Sequence, residues 1–385
     1  MMNMPKINEI SAIFLTLVCS FALIFIAPHI TKKYRQPPMY TQTFVQGTVV
    51  EITEDNTEED PFVDGRYTGN QKLKVRINEG EYAGKIFSSV NTLGSLRSAV
   101  AYEGLTAVFT IRLDKNGEPV VWLYNYNRTP HTYALVVLLC TLVLFAGRLK
   151  GVRSLLSLFF TGVVLLYVVV PAMWSPYPKA VALVSLAAIC AVSFVLIAGW
   201  SKKALVAAAG TLLGILTAGI IAGVFGKAMR LSGVDMEKGE TLLYLAQNRD
   251  FKITSLLFVS IIISCLGATM DIAVSIASSA EQLHRANSEM SAREYFGAVI
   301  AVGRDIIGTM TNTLILAFCG SALPLAMMIW GYCMEYMQFI NIPLIQIHIL
   351  QALAGSIGMV ASVLFTAILS VLIFKHDTCE KKQRA

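Results

Sequence analysis

The stretch 253-ITSLLFVSIIISCLGATMDIAVSIA-277 decides what kind of molecule this is. Its 25 residues exceed the roughly 20 apolar residues that a helix needs to cross the hydrocarbon core of a bilayer. One charge interrupts it, Asp271, with Ser264, Ser275 and Ser278 on the same side at helical spacing. A carboxylate in hydrocarbon costs at least about 2–3 kcal/mol, so it is normally paired, protonated or turned toward water, and it often marks an ion or proton path. Asp271 and the flanking Ser264 and Ser275 are therefore candidates for such a path. The structural alternative is that Asp271 caps a helix or pairs with Arg304.

Working outward, seven more apolar runs emerge: Ile10–Ile30, Tyr133–Gly147, Leu155–Ala172, Ala180–Gly199, Ala204–Gly226, Ile306–Trp330 and Ile347–Phe374. Composition agrees, with 55% hydrophobic and 15% charged residues where a soluble chain carries about 25% charged. The net charge of +6 suits a nucleic-acid partner or a membrane topology, and its location decides between them. Arg148, Lys150 and Arg153 follow the second run, Lys202 and Lys203 the fourth (Ala180–Gly199), and Lys375, Lys381, Lys382 and Arg384 the last. With Lys6, Arg285, Arg293 and Arg304, these 13 basic residues face seven acids on one side, which the positive-inside rule makes cytoplasmic. Both termini are then inside, and residues 31–131 are extracytoplasmic. The first run reads as an uncleaved helix: no small-x-small cleavage site follows it, and Val18 weakens Cys19 as a lipobox. The expected fold is a membrane all-α helical bundle of about eight transmembrane helices carrying a small β domain. Its divisions are an N-terminal helix (1–30), the β domain (31–131), a seven-helix membrane domain (132–375) and a basic tail (376–385).

The segment 31–131 holds 12 basic and 12 acidic residues and reads as five short strands: Phe44–Ile52, Lys72–Ile77, Ala83–Ser89, Thr106–Leu113 and Val120–Tyr126. Asp114-Lys-Asn-Gly117 is hairpin chemistry, because Asn and Gly tolerate positive φ. A five-stranded barrel of the OB type is expected. Its neutrality and its side of the membrane argue against nucleic acid. The acidic cluster Glu51, Glu54, Asp55, Glu58, Glu59, Asp60 and Asp64 lacks the spacing of a calcium loop and reads as a solvated hairpin tip.

Gly210, Gly214, Gly219 and Gly223 form two small-xxx-small pairs suited to close helix packing. Ser291-Ala-Arg-Glu294 fits a capping box, so a helix starts near Ala292 and runs into the next span. Tyr295, Phe296, Val299 and Ile300 give that helix an apolar face suited to a membrane interface, and His284 just before it reads as solvated. Asp305, Thr309 and Asn312 then make one polar stripe, next to Arg304. Pro324 should kink the run. The seven cysteines, without any Cys-x-x-Cys, suggest neither disulfides nor a metal site.

The runs Met270-Asp-Ile-Ala-Val-Ser-Ile-Ala-Ser278 and Gly303-Arg-Asp-Ile-Ile-Gly-Thr-Met-Thr-Asn-Thr-Leu-Ile-Leu-Ala-Phe318 resemble the YibE/F family of bacterial multi-pass membrane proteins. The resemblance implies a bacterial plasma-membrane location and carries no biochemical activity with it. The layout of an intramembrane Asp, a cytoplasmic amphipathic helix and a helix opening on Thr and Asn is also similar to SecD/SecF and related permeases. On that analogy Asp271 would carry a proton, although the helix count here departs from their six-helix unit.

Two function classes follow. One is a secondary transporter or translocation component using Asp271 and the Arg304–Asp305–Thr309–Asn312 face; no phosphate loop for ATP is present. The other is a membrane scaffold or sensor whose external β domain binds a partner protein or wall component, with Asp271 and Arg304 paired internally. An enzyme is not expected, since no hydrolase or metalloprotease motif occurs. No cofactor or metal is expected. The expected partners are the lipid bilayer and a second family member or a second copy, with the substrate left open.

Overall fold

The computed structural model describes residues 7–32, 42–94, 99–114, 116–246 and 253–375. Lys6, Lys33, Arg35, Arg97, Lys115 and the tail 376–385, which enter the charge counts, lie outside them. Helix accounts for 68% of the structure. The chain divides into two compact units, Arg35–Leu142 and the remainder.

In the smaller unit, β1 (Gln42–Glu59), β2 (Tyr67–Ile77), β3 (Ile86–Leu93), β4 (Thr106–Leu113) and β5 (Pro119–Tyr126) form one antiparallel sheet in the order β3-β2-β1-β4-β5. The alternation of β2 explains the face it buries: Gln71, Leu73, Val75 and Ile77 point inward while Lys72, Lys74 and Arg76 point out. Two register shifts in β1, at Val49/Glu51 and Ile52/Glu54, bend it so that it pairs with β2 along one part and β4 along another. The sheet curls into a half-barrel whose edge strands β3 and β5 approach each other. Gly47 is required there, since a Cβ would stand 2.8 Å from the ring of the buried Phe109.

A buried polar network holds the 99–101 segment against β2 and β3. Gln71 Nε2 donates to Ala101 O (3.1 Å), Ala101 N donates to Gln71 Oε1 (2.9 Å), and Asn91 Nδ2 donates to Ala99 O (2.9 Å). On the β5 side, Val100 N donates to Tyr126 Oη (2.8 Å).

The acidic cluster is not merely a hairpin tip. β1 runs on to Glu59, and the strand register sets Glu54 opposite Lys72 (2.7 Å) and Glu51 against Lys74 (2.8 Å). In-register opposite charges let this polar stretch remain strand. The third strand starts at Ile86 rather than Ala83, because Gly84, with φ of 81°, keeps 80–85 in turns.

The larger unit contains α1 (Ile7–Thr31), most of α2 (Thr129–Val164), α3 (Val170–Ala172), α4 (Pro178–Ala198), α5 (Lys202–Ala228), α6 (Gly239–Ala246), α7 (Ile253–Ala286), α8 (Ala292–Ser321), α9 (Leu323–Gly331), α10 (Tyr336–Ile340) and α11 (Pro343–Ser370). Among the described residues, seven helical stretches are long and apolar enough to cross a membrane, where the sequence suggests eight. The difference lies in Thr129–Ala172, a single stretch of 44 residues. It is interrupted at Arg148 (φ 47°, ψ −127°), and Gly151 comes so close to Val143 O that a Cβ would stand 2.3 Å away, so the chain reverses sharply there.

α5, α7 and α11 form the centre. Small residues repeat every four positions on α5 (Gly210, Gly214, Ala218, Ala222) and α11 (Ala354, Gly358, Ser362, Thr366), and the two stripes meet antiparallel. Without bulky side chains the backbones approach closely enough to gain dispersion along the whole contact. Gly219 faces Phe258 of α7, but Gly223 touches nothing within 4 Å and is not a packing residue. Pro324 does more than kink: α8 ends at Ser321, and α9 starts anew with the proline in its first turn, where its missing N–H is harmless.

Candidate functional site

α7 and α8 form a hairpin that sets the level of every polar candidate. The Ser291–Glu294 capping box is present: Glu294 N donates to Ser291 Oγ (3.2 Å), and Ser291 N donates to Glu294 Oε2 (3.0 Å). One turn on, the fully buried Tyr295 donates through Oη to Ala280 O (2.7 Å), tying the two helices together. Tyr295 and Val299 thus enter the protein core instead of facing an interface, with Phe296 and Ile300 half-buried against it. His284 is not solvated either. α7 continues to Ala286, placing His284 on the buried Ala273–Ala277–Ala280 face, its ring 5.8 Å from Phe374 and 6.4 Å from Tyr295.

The basic loops gather at one end of this unit. Lys203, at the start of α5, pairs with Glu281 near the end of α7 (3.7 Å), and Glu281 also accepts from Arg285 (2.8 Å). Ser157 of α2 donates to Ser193 of α4 (2.7 Å), which brings the turn bearing Arg148, Lys150 and Arg153 toward the same end as Lys202. α1 begins there too, since Ser11 and Trp200 line one groove.

From this end the depth of each candidate follows from helix rise. Asp271 lies ten residues beyond Glu281, about 15 Å in, and Arg304 nine residues beyond Tyr295, about 14 Å in. The two helices touch short of those levels, at Gly303 and Ile276, one residue before Arg304 and five before Asp271. Asp271, Arg304, Asp305, Thr309 and Asn312 are all exposed, Ser275 as well, and Ser264 is half-buried.

The hydroxyls are satisfied by their own helices: Ser264 donates to Ile261 O (2.9 Å), Ser275 to Asp271 O (2.8 Å) and Thr309 to Ile306 O (3.0 Å). Such local bonds let serine and threonine sit in apolar surroundings. The charges are different. Among the described residues, Asp271 and Arg304 form no ion pair with each other or with any other group, and Asp305 has none. The internal pairing that a pure scaffold would use is therefore not made.

The helix carrying most of these groups is also the least buried of the seven membrane-length stretches: in α8 only Tyr295, Val299 and Gly303 are enclosed. On α11, by contrast, Ser362 and Thr366 are fully buried, with hydroxyl oxygens that lack a hydrogen-bond partner among the described residues. Sequence reading passed over that stripe, although its four-residue spacing is the same signal that exposed the glycines of α5. No group of three His, Cys, Asp or Glu able to hold a metal ion occurs among the described residues.

No curated protein and no solved structure matches the chain. The family description "YibE/F-like protein" matches residues 135–376, which include both polar helices and the α5–α7–α11 centre, and the chain belongs to the YibE/F-like family.

Proposed function

We propose that this chain is a multi-pass protein of the bacterial plasma membrane acting as a secondary transporter or translocation component, with Asp271 as its proton-exchanging group. One observation carries the reading: a carboxylate that forms no ion pair among the described residues stands about midway along α7, roughly one helical turn beyond the level of Arg304 and Asp305, which have no such pair either. In hydrocarbon such groups persist where they meet water, a substrate or one another. The gathered basic loops support a cytoplasmic assignment for that end. α1 then leads outward, and the reversal at Arg148 turns the 44-residue stretch into two crossings, giving eight in all.

The strand order, with β3 and β5 brought together, supports an OB-type barrel on the extracytoplasmic side. A second reading, in which the β unit binds a partner protein or wall component and the helices serve as scaffold, draws on Phe44 and Tyr124. Both are exposed, and their rings stack edge to face at 5.0 Å on the sheet surface.

The test is proton flux. Purified chain is reconstituted into vesicles containing a pH-sensitive dye and compared with Asp271→Asn. Flux in the parent and its loss in the variant are expected; equal flux in both, or flux in neither, sinks the proton-coupled reading.

A further inference from the structure

The open face of α8 has a spacing of its own. Ala301, Asp305, Gly308, Asn312 and Cys319 are all exposed, and their steps of four, three, four and seven are those of a heptad seam. Gly308 lies between Arg304 and Asp305 in projection, about 40° from one and 60° from the other at 3.6 residues per turn. A Cβ there would meet nothing within 4 Å. Two opposite charges thus straddle a narrow, empty strip of the least buried membrane-length helix. Facing lipid, this arrangement would leave a guanidinium and a carboxylate without partners; facing a copy of itself, it is self-complementary. A two-fold axis parallel to α8 sets Arg304 of one copy against Asp305 of the other, twice, with the glycine strip letting the helices approach and Asn312 meeting Asn312 to fix the register.

We propose that α8 is the contact between two copies of this chain, joined by reciprocal Arg304–Asp305 ion pairs across the Ala301–Gly308–Asn312 seam, so that the polar site is completed by the second copy. The proposal rests on the reading above in one respect, the placement of α8 in hydrocarbon. It leaves Asp271 outside the pairing and free to face the path.

The full-length chain is purified in detergent and its mass measured by light scattering and native mass spectrometry. A dimer is expected. Arg304→Asp or Asp305→Arg should each weaken it roughly tenfold or more, because a like-charge pair replaces a salt bridge in a poorly hydrated contact. The exchange Arg304→Asp with Asp305→Arg should restore it.

A parallel arm in native membranes keeps the test alive if the reversals fail to fold. A chain retaining Cys319 alone should cross-link to a dimer with a short bifunctional thiol reagent, whereas a chain whose one cysteine comes from Leu314→Cys, at a position that packs against Gly355, should not. A monomer in detergent together with no Cys319 cross-link overturns the proposal, as does an exchange variant that folds and stays as weak as the single reversals. Flux measured on the parent chain separates the two readings: a parent dimer without proton flux leaves the contact standing and removes the transport reading, and flux from a parent that stays monomeric does the reverse.

Discussion

Adding one methyl group at Gly210 tests the packing of the helical centre. A Cβ there would lie 2.0 Å from Thr366 Oγ1, 3.0 Å from its Cβ and 3.2 Å from its Cα, where ordinary contact begins at 3.4 Å. Thr366 is fully buried, so its hydroxyl has no free space to swing into, and relief requires either an unfavourable rotamer or a parting of α5 from α11. Overpacking of this kind costs about 1–3 kcal/mol. Against it stands a gain of about 1 kcal/mol from replacing glycine by alanine inside a helix. Gly210→Ala should therefore destabilise by up to about 2 kcal/mol. Gly223→Ala, on the same helix with open space at its Cβ, keeps only the gain and should be neutral to stabilising.

The assay is thermal unfolding of the detergent-purified full-length chain for Gly210→Ala, Thr366→Ala and the pair. Removing the hydroxyl and methyl of Thr366 takes away the atom nearest the intruding Cβ. The double variant should then be more stable than the sum of the single changes by about 1 kcal/mol, within the range found for contacting pairs. The control against Gly223→Ala matters, because both glycines occur in similar small-xxx-small patterns and differ only in what they face. If Gly210→Ala proves as stable as Gly223→Ala, or the two changes at Gly210 and Thr366 are additive, the helices do not meet along this stripe.

Three further outcomes follow from local geometry. The Thr57 hydroxyl and the Gln71 amide both donate to Asp55 and hold its pKa below the usual carboxylate value of 3.8. Its contribution to stability is thus fully present above that value and lost as pH falls through the lowered folded one; Asp55→Asn should flatten the acid loss of hydrogen-exchange protection in β1 and β2, and an unchanged acid profile would count against it. Tyr295→Phe removes the bond to Ala280 O and leaves a buried acceptor, costing about 1–3 kcal/mol with the fold intact, measurable as a lowered unfolding midpoint. Lys72→Ala, which breaks an ion pair between half-exposed groups, should change stability by less than about 1 kcal/mol, and a larger loss would mean that the pair is shielded from water.

What could be read from the chain, and what could not, follows from how little an apolar sequence says about its own faces. The five strands were legible because β2 alternates charge with Leu73, Val75 and Ile77, a signal that only a half-buried strand produces. Their ends were not: register with Lys72 and Lys74, a pairing between distant residues, keeps Glu51–Glu59 extended. Similarly, the capping box at Ser291 is written in four consecutive residues, whereas the burial of His284 depends on Phe374, ninety positions away.

Within the helices the difficulty is deeper. In water an apolar side chain marks the inside, but lipid is as apolar as leucine, so hydrophobic periodicity does not separate a packed face from an open one. Only small residues and charges carry that information, and they carry it in opposite senses. The small residues of α5 and α11 lie where backbones meet, with the instructive exception of Gly223. The charges Asp271, Arg304 and Asp305 are exposed and form no ion pair among the described residues. Among the described residues no ion pair within a single copy accounts for their presence in segments long and apolar enough to cross a membrane. On the proposed readings their reason lies in what comes against α7 and α8 from outside, whether a moving proton, a substrate or the same helix of a second copy.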